Sequence, residues 1–361
     1  MALLAIGLGL ALSLALGLAS GCDRDRRSIP DGRMTSDVAA MLAHLPADAW
    51  GVVGVRAARA RRVPALAPLL ARMPALPLDP SIGRACGLDP FAAVDLAVAA
   101  LGGGGGEQAV VVALAGTFTR DSIARCIADR SAQTGERLSA ADDGPLTVYG
   151  PGGAARGGGG AGAAGRAYAY WPAADLVILS PAADGARAAL MVLAGAGGAA
   201  PIPAPTGCLG RVHTDAALWA AGLVSPAMHR RMAAVGADVP GVRGFFATVD
   251  ADPSGDGSVS VLVGLRFATD REAAGAADSF RAQRGDLARA MPDPRAGAIV
   301  KRLEVARSGP DLAVQASLGP TEVELVVALI AAAAIDPPAT AATPAATPAA
   351  TPATLPSAAR P

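Results

Sequence analysis

Between residues 51 and 317 the apolar positions fall into short blocks, separated by gaps rich in glycine, proline and aspartate. Blocks of about four to eight residues between such gaps predict strands, and longer stretches with a helical period predict helices. The first half of the chain gives a strand at 51–56, a helix at 64–73, strands at 94–101 and 109–116, and a helix beginning near Thr119. Strands at 146–149, 167–171 and 176–179 follow, and a helix at 184–193 closes the half. The second half runs in a similar order. It offers a strand at 209–213, a helix near 226–235, strands at 244–249 and 258–267, and a helix from Asp270. Strands at 299–306 and 312–317 then lead to a closing helix at 321–335.

Local matches align the two halves. Phe118, Thr119 and Asp121 stand at the same strand-to-helix passage as Phe267, Thr269 and Asp270. Thr269 and Glu272 have the spacing of a capping box, in which each side chain closes an amide left open by the first helical turn. Asp175 with Leu176, and Asp311 with Leu312, open the last strand before each closing helix. The pattern predicts an α+β protein of two similar lobes from an internal duplication, each a mainly antiparallel sheet covered by helices. The first lobe spans 37–194, a Gly/Pro-rich joint 195–207, and the second lobe 208–336.

The two ends break this pattern. Residues 2–18 are an uncharged Leu/Ala/Gly run that ends in Ala19-Ser20-Gly21-Cys22, followed at once by Asp23-Arg24-Asp25-Arg26-Arg27. A short apolar run closed by small residues has the form of a secretory signal. The Leu-Ala-Ser-Gly-Cys run resembles the lipobox of bacterial lipoproteins, although Ala19 holds the place that leucine usually takes. The resemblance implies a signal peptide at 1–21, lipid on Cys22 and a lipidated tether at 22–36. The competing reading is an uncleaved membrane helix, because the run nears the ~20 residues that span a bilayer. Gly7, Gly9 and Gly17 and the terminal cysteine favour the lipoprotein. This places the chain in the bacterial cell envelope, facing the periplasm, with the inner or outer membrane left open. At the other end, residues 337–361 repeat Ala-Ala-Thr-Pro, a composition that predicts a disordered, polyproline-like tail.

Composition narrows the function. Hydrophobic residues make up 52% of the chain, enough for a large core, but aromatics are only 3%, so that core rests on Leu, Val and Ala. With 31 basic and 31 acidic residues the chain lacks the positive charge of a nucleic-acid binder. Among candidate sites, Asp250 to Gly257 has the look of a calcium loop. The twelfth position is Val261 rather than a bidentate glutamate, so a polar hairpin turn is the better reading. The glycine runs at 102–106 and 152–165 lack the strand-to-helix setting and lysine of a phosphate loop, and read as hairpin loops. His44, His213 and His229 have no metal-ligand spacing, and His213 with Asp215 is the one candidate acid-base pair. No metal or cofactor is expected. In an oxidising compartment Cys86 and Cys126, both in the first lobe, are the preferred disulfide, with Cys208 left over.

Leu45-Pro46-Ala47-Asp48-Ala49 leading into a strand, Cys86-Gly87-Leu88-Asp89-Pro90, and the two strand-to-helix passages together resemble a group of bacterial exported lipoproteins carrying a domain of unknown function. That resemblance implies no substrate and no catalytic residue. The expectation is a non-enzymatic, lipid-anchored envelope protein that binds a protein partner or serves as a scaffold. A carrier or sensor of an apolar ligand, held in a Leu/Val/Ala-lined cavity between sheet and helices, is the alternative. A hydrolase with dispersed residues stands third and requires His213 or His229 beside a carboxylate or nucleophile.

Overall fold

Alternation of apolar and small residues along each predicted strand leaves two faces to bury, and helices cover both. The computed structural model describes residues 29–66, 93–102, 110–134, 138–151, 167–181, 186–195, 206–225, 228–230, 239–252, 257–291 and 293–335. Its strands are β1 (Gly51–Arg56), β2 (Val94–Leu101), β3 (Val110–Gly116), β4 (Leu138–Asp143), β5 (Leu146–Pro151) and β6 (Ala167–Ala173). They continue as β7 (Leu176–Pro181), β8 (Leu218–Leu223), β9 (Val242–Ala251), β10 (Val259–Phe267), β11 (Glu304–Ser308) and β12 (Asp311–Leu318). The helices are α1 (Ser36–Leu42), α2 (Ala57–Ala60), α3 (Arg120–Thr134), α4 (Ala186–Gly195) and α5 (Thr206–Leu209). Three more, α6 (Asp270–Ala290), α7 (Pro294–Arg302) and α8 (Pro320–Ile335), lie in the second half.

All twelve strands join one sheet in the order β11-β12-β10-β9-β8-β1-β2-β3-β7-β6-β5-β4. The two halves of the chain are therefore not separate sheets. They meet where β1 pairs antiparallel with β8, Val53 opposite Ala220. Outward from that seam the order β8-β9-β10-β12-β11 mirrors β1-β2-β3-β7-β6, with β5 and β4 added at the far edge. Both edge strands carry charge: Asp142 and Asp143 on β4, Glu304 and Arg307 on the short β11. Charged, short edges discourage addition of a further strand.

Side-chain alternation assigns the helices to faces. Val52 of β1 lies in the core with Val98, Ile178, Trp219 and Phe246, together with Leu42 of α1 and Leu190 of α4. Its neighbours Val53 and Val55 point to the other face. There Ala273 and Ala277 of α6, Ile299 of α7 and Val323 of α8 pack, while Ile123 and Ile127 of α3 cover β3 and β7. Burying each such aliphatic or aromatic side chain contributes roughly 1.5–3 kcal/mol. Tight approach across the sheet relies on glycine. A Cβ on Gly54 of β1 would overlap the indole of Trp219, and one on Gly264 of β10 would overlap the ring of Phe246.

Several expectations are corrected. Residues 209–213 are not a strand. Leu209 ends the helical turn α5, the Arg211 and Val212 amides donate back to Cys208 and Leu209, and the strand lies at β8. Only the later part of the run at 299–306 is strand: residues 299–302 end α7, where Asp293 caps the Arg295 amide and Pro294 fits the first helical turn, and β11 begins at Glu304. Only Pro64–Leu66 of the expected helix at 64–73 is described, and it is a 3-10 turn. The tether does not extend to residue 36. Ile29 is buried at 3% exposure and α1 begins at Ser36. The signal peptide at 1–21, Cys22, Cys86, residues 196–205 of the joint and the tail at 337–361 lie outside the described residues.

Candidate functional site

The densest polar chemistry lies where the first described residues cross the second half of the sheet. Residues 29–37 form a strap. Its Gly32 amide donates to Gly210 O (2.9 Å) and its Arg33 amide to Val212 O (3.0 Å), while Thr214 N donates back to Arg33 O (2.9 Å). Thr214 is fully buried, and its hydroxyl both accepts from the Thr35 amide at 2.9 Å and lies 3.1 Å from Arg33 O.

Two arginine clusters fasten this strap. Arg56, at the end of β1, donates from Nε to Thr214 O at 2.8 Å and from Nη2 to Thr35 Oγ1 at 2.7 Å. Its guanidinium also holds Asp37, with Nη2 to Oδ1 at 2.9 Å and Nη1 to Oδ2 at 2.8 Å. The hydrogen bond from Arg56 is the main reason that Asp37 is held down to about 2. The second cluster centres on Asp311, whose side chain is 0% exposed. Arg266 of β10 donates to it in a fork, Nε to Oδ1 at 2.7 Å and Nη2 to Oδ2 at 2.9 Å. Arg211 adds Nε to Oδ2 at 2.7 Å, then reaches Asp31 of the strap with Nη1 at 2.8 Å and Ser308 with Nη2 at 3.3 Å. Cross-strand register explains the fork, since Arg266 sits directly opposite Asp311. Cys208 lies beside this cluster as a buried free thiol, and burial pushes it up to about 11. Such a thiol is a poor nucleophile at neutral pH.

The residues singled out from the sequence fall elsewhere. His213 pairs through its backbone with Arg33, and Asp215 lies 3.9 Å from Arg59. Among the described residues no hydrogen bond or ion pair joins His213 to Asp215. His229 Nε2 lies 3.1 Å from Val242 O. The Nδ1 of His44 is buried with no partner in the structure, and burial lowers its proton affinity. The two described aspartates of the calcium-like loop, Asp250 and Asp252, are committed to the fold. Asp250 accepts from Arg59 at 2.6 Å and from the Ala217 amide at 3.2 Å, and Asp252 accepts from Ser317 at 3.0 Å. This segment joins β9 to β10, which pair as a hairpin. The two glycine runs likewise connect antiparallel partners, β2 with β3 and β5 with β6. Cys126 of α3 is disulfide-bonded, to a partner outside the described residues.

A cleft of roughly 350 Å³ opens where α7 meets the C-terminal end of β12, lined by Ile299, Arg302, Glu304, Gln315 and Leu318 among others. Its charged groups are engaged: Arg302 with Glu322, and Glu304 accepting from Gln315 Nε2 at 3.0 Å. This mixed lining differs from the Leu/Val/Ala cavity that an apolar-ligand carrier requires. Among the described residues no three His, Cys, Asp or Glu side chains cluster as a metal site, and no helix is long and apolar enough to cross a membrane.

No protein family's sequence model matches the chain, and no curated protein matches it. Solved structures similar to it include crystal form III of TP0453, with a TM-score of 0.47 at 9% identity over 79% of this chain and 96% of that one. Crystal form I of TP0453 gives a TM-score of 0.45 at 6% identity over 80% and 97% of the two chains. The likeness is one of fold and carries no functional argument.

The central clusters were missed from the sequence. In the sequence Asp311 stands only at the start of a strand, in parallel with Asp175. The structure leaves Asp175 exposed and buries Asp311 completely. The usable signal is an arginine, Arg266, at the end of one predicted strand and an aspartate, Asp311, at the opening of the last one, which an antiparallel pairing brings together.

Proposed function

We propose that the chain is an exported bacterial lipoprotein, held on a membrane by lipid on Cys22, whose folded part is a non-enzymatic protein-binding or scaffold module. The observation that carries the reading is the Leu18-Ala19-Ser20-Gly21-Cys22 run with a charged segment directly after it. The position of Ile29 supports it: this first described residue is already buried, with six residues between it and the cysteine, so the anchor and the domain lie close in sequence. The polar groups at the centre also favour a structural role. Arg56, Arg211, Arg266, Asp250 and Asp311 each hold two or more segments of chain together, and such committed groups are unavailable to a substrate.

The palindromic strand order, with β1 and β8 paired at its centre, supports an origin by internal duplication. Both strand-to-helix passages reinforce it. Phe118 and Phe267 are both buried, Thr269 forms its capping box with Glu272, and Thr119 exchanges bonds with Ser122 in the same way.

The test is fractionation of cells producing the full chain or Cys22→Ala. Because Cys22→Ala can stay on the membrane through an uncleaved apolar run, the readout is incorporation of radiolabelled fatty acid: the reading expects label on the membrane-bound unaltered protein and none on Cys22→Ala. An unaltered protein that takes up no label would overturn it. Cross-linking before lysis then addresses the module, because a scaffold gives a discrete partner band.

A further inference from the structure

We infer that the side of the sheet carrying α1 and α4 is a contact surface for the lipid bilayer, a proposal that rests on the anchor at Cys22 proposed above. The strap fixes where the anchored chain enters the fold. Ile29, at the start of the strap, and Val38, in α1 just after it, both bury into the core that α1 and α4 cover. Six residues lie between Cys22 and Ile29, so the two are at most about 24 Å apart with the chain fully extended. Because the clusters at Arg56 and Arg211 bond the strap down, slack cannot be drawn from residues 31–37. The domain is thus kept near the membrane with this side toward it.

The surface chemistry of the two sides differs in the same sense. α1 and α4 carry one charged residue each, Asp37 and Arg187. Both are paired to the sheet, Asp37 with Arg56 and Arg187 with Asp143, the latter at 2.6 Å. On the opposite side α6 carries eight charged residues, α3 five and α7 three, while α8 carries two. The exposed large apolar side chains among the described residues follow this division. Val192 is 71% exposed on the outer surface of α4, Met34 lies in the strap, and Leu223 follows Ala221 on the same side of β8 by strand alternation. Such a surface is weak on its own. A tether this short gives an effective concentration of order mM, which is enough for a weak contact to be occupied.

The experiment places a fluorophore at Met34→Cys, Val192→Cys or Asp286→Cys, one at a time, in the full lipidated chain. Asp286 lies on α6 with 74% exposure. Acylated Cys22, disulfide-bonded Cys126 and buried Cys208 resist the label, and Cys86 is replaced by alanine in a control that reports any label on it. The proteins are bound to phosphatidylethanolamine–phosphatidylglycerol vesicles containing a lipid with a nitroxide near its headgroup, and intact mass is read on the same samples. The proposal expects emission at positions 34 and 192 to be lost to the nitroxide and emission at 286 to be kept. Acylated, vesicle-bound protein with all three probes unquenched, or with 286 quenched instead, overturns the surface and leaves the anchor standing. Unacylated protein that does not bind vesicles overturns the anchor, and the surface falls with it.

Discussion

Asp311→Asn is the sharpest test of how the seam between chain segments is held. The substitution keeps the side-chain volume and removes the charge from a carboxylate with 0% exposure that two arginines share. An amide has one oxygen to accept with, and its NH2 group would face a guanidinium that also only donates. Removing one member of a buried ion pair typically costs 3–5 kcal/mol. The arginine side chains are 17% and 29% exposed, and Arg211 still has Asp31, so water and that partner recover part of the loss. The expected cost is therefore at the lower end, about 3 kcal/mol. In a chain of this size that corresponds to a fall of about 6 °C in Tm. Urea unfolding followed by circular dichroism in the Cys22→Ala background reads the change as a lower midpoint at constant slope. The combined variant Arg211→Met, Arg266→Met, Asp311→Leu provides the control. Apolar replacement of a whole buried cluster is often neutral or stabilising, so it is expected to recover most of the loss. An Asp311→Asn protein within about 0.5 kcal/mol of the parent, the range of an ordinary surface change, would refute the reasoning.

Other consequences follow from the same geometry. Gly54→Val places a branched side chain where the Trp219 indole lies, and overpacking of this kind is expected to destabilise by about 1–3 kcal/mol or more; an unchanged urea midpoint contradicts the packing. Thr269→Ala removes the capping box of α6 and is expected to lower stability by about 1 kcal/mol, with amide exchange rising first in the opening turn. Asp37, held at about 2 by Arg56, contributes stability that is present above the ordinary carboxylate range near 4 and is lost as pH falls through 2. Since the side chain is half exposed, solvent screening leaves about 1 kcal/mol at most, so Asp37→Asn should flatten the acid limb of the stability curve only slightly. Cys208 should take up iodoacetamide at pH 8 only when the protein unfolds, and rapid alkylation of the native chain would contradict its burial.

Much of the fold was legible because most strands are bounded by unmistakable turn residues. The predicted 94–101 coincides with β2, and the predicted 258–267 with β10 to within one residue. The Thr269–Glu272 box was readable for the same reason, since capping is a local interaction. Failures occurred where local pattern and tertiary pairing diverge. β4 has two aspartates among its six residues and a place at the sheet edge, so no apolar face announces it. β8, Leu-Trp-Ala-Ala-Gly-Leu, has no alternation of apolar with polar residues to announce a strand, while the Leu209–Val212 stretch turns back on itself. The joining of the two halves at β1 and β8 depends on pairing between residues more than 160 positions apart, which no local period encodes. For the same reason the Arg56 and Asp311 clusters were invisible: the sequence shows the charges, and only the topology shows that they share partners.

The central claim is that this domain hangs from lipid on Cys22, and intact-mass spectrometry of the full chain extracted from membranes tests it most directly. The account predicts a protein beginning at Cys22 and carrying the added mass of a diacylglyceryl group with or without a third acyl chain, all of it absent from Cys22→Ala. An unmodified chain that retains residues 1–21 would contradict it.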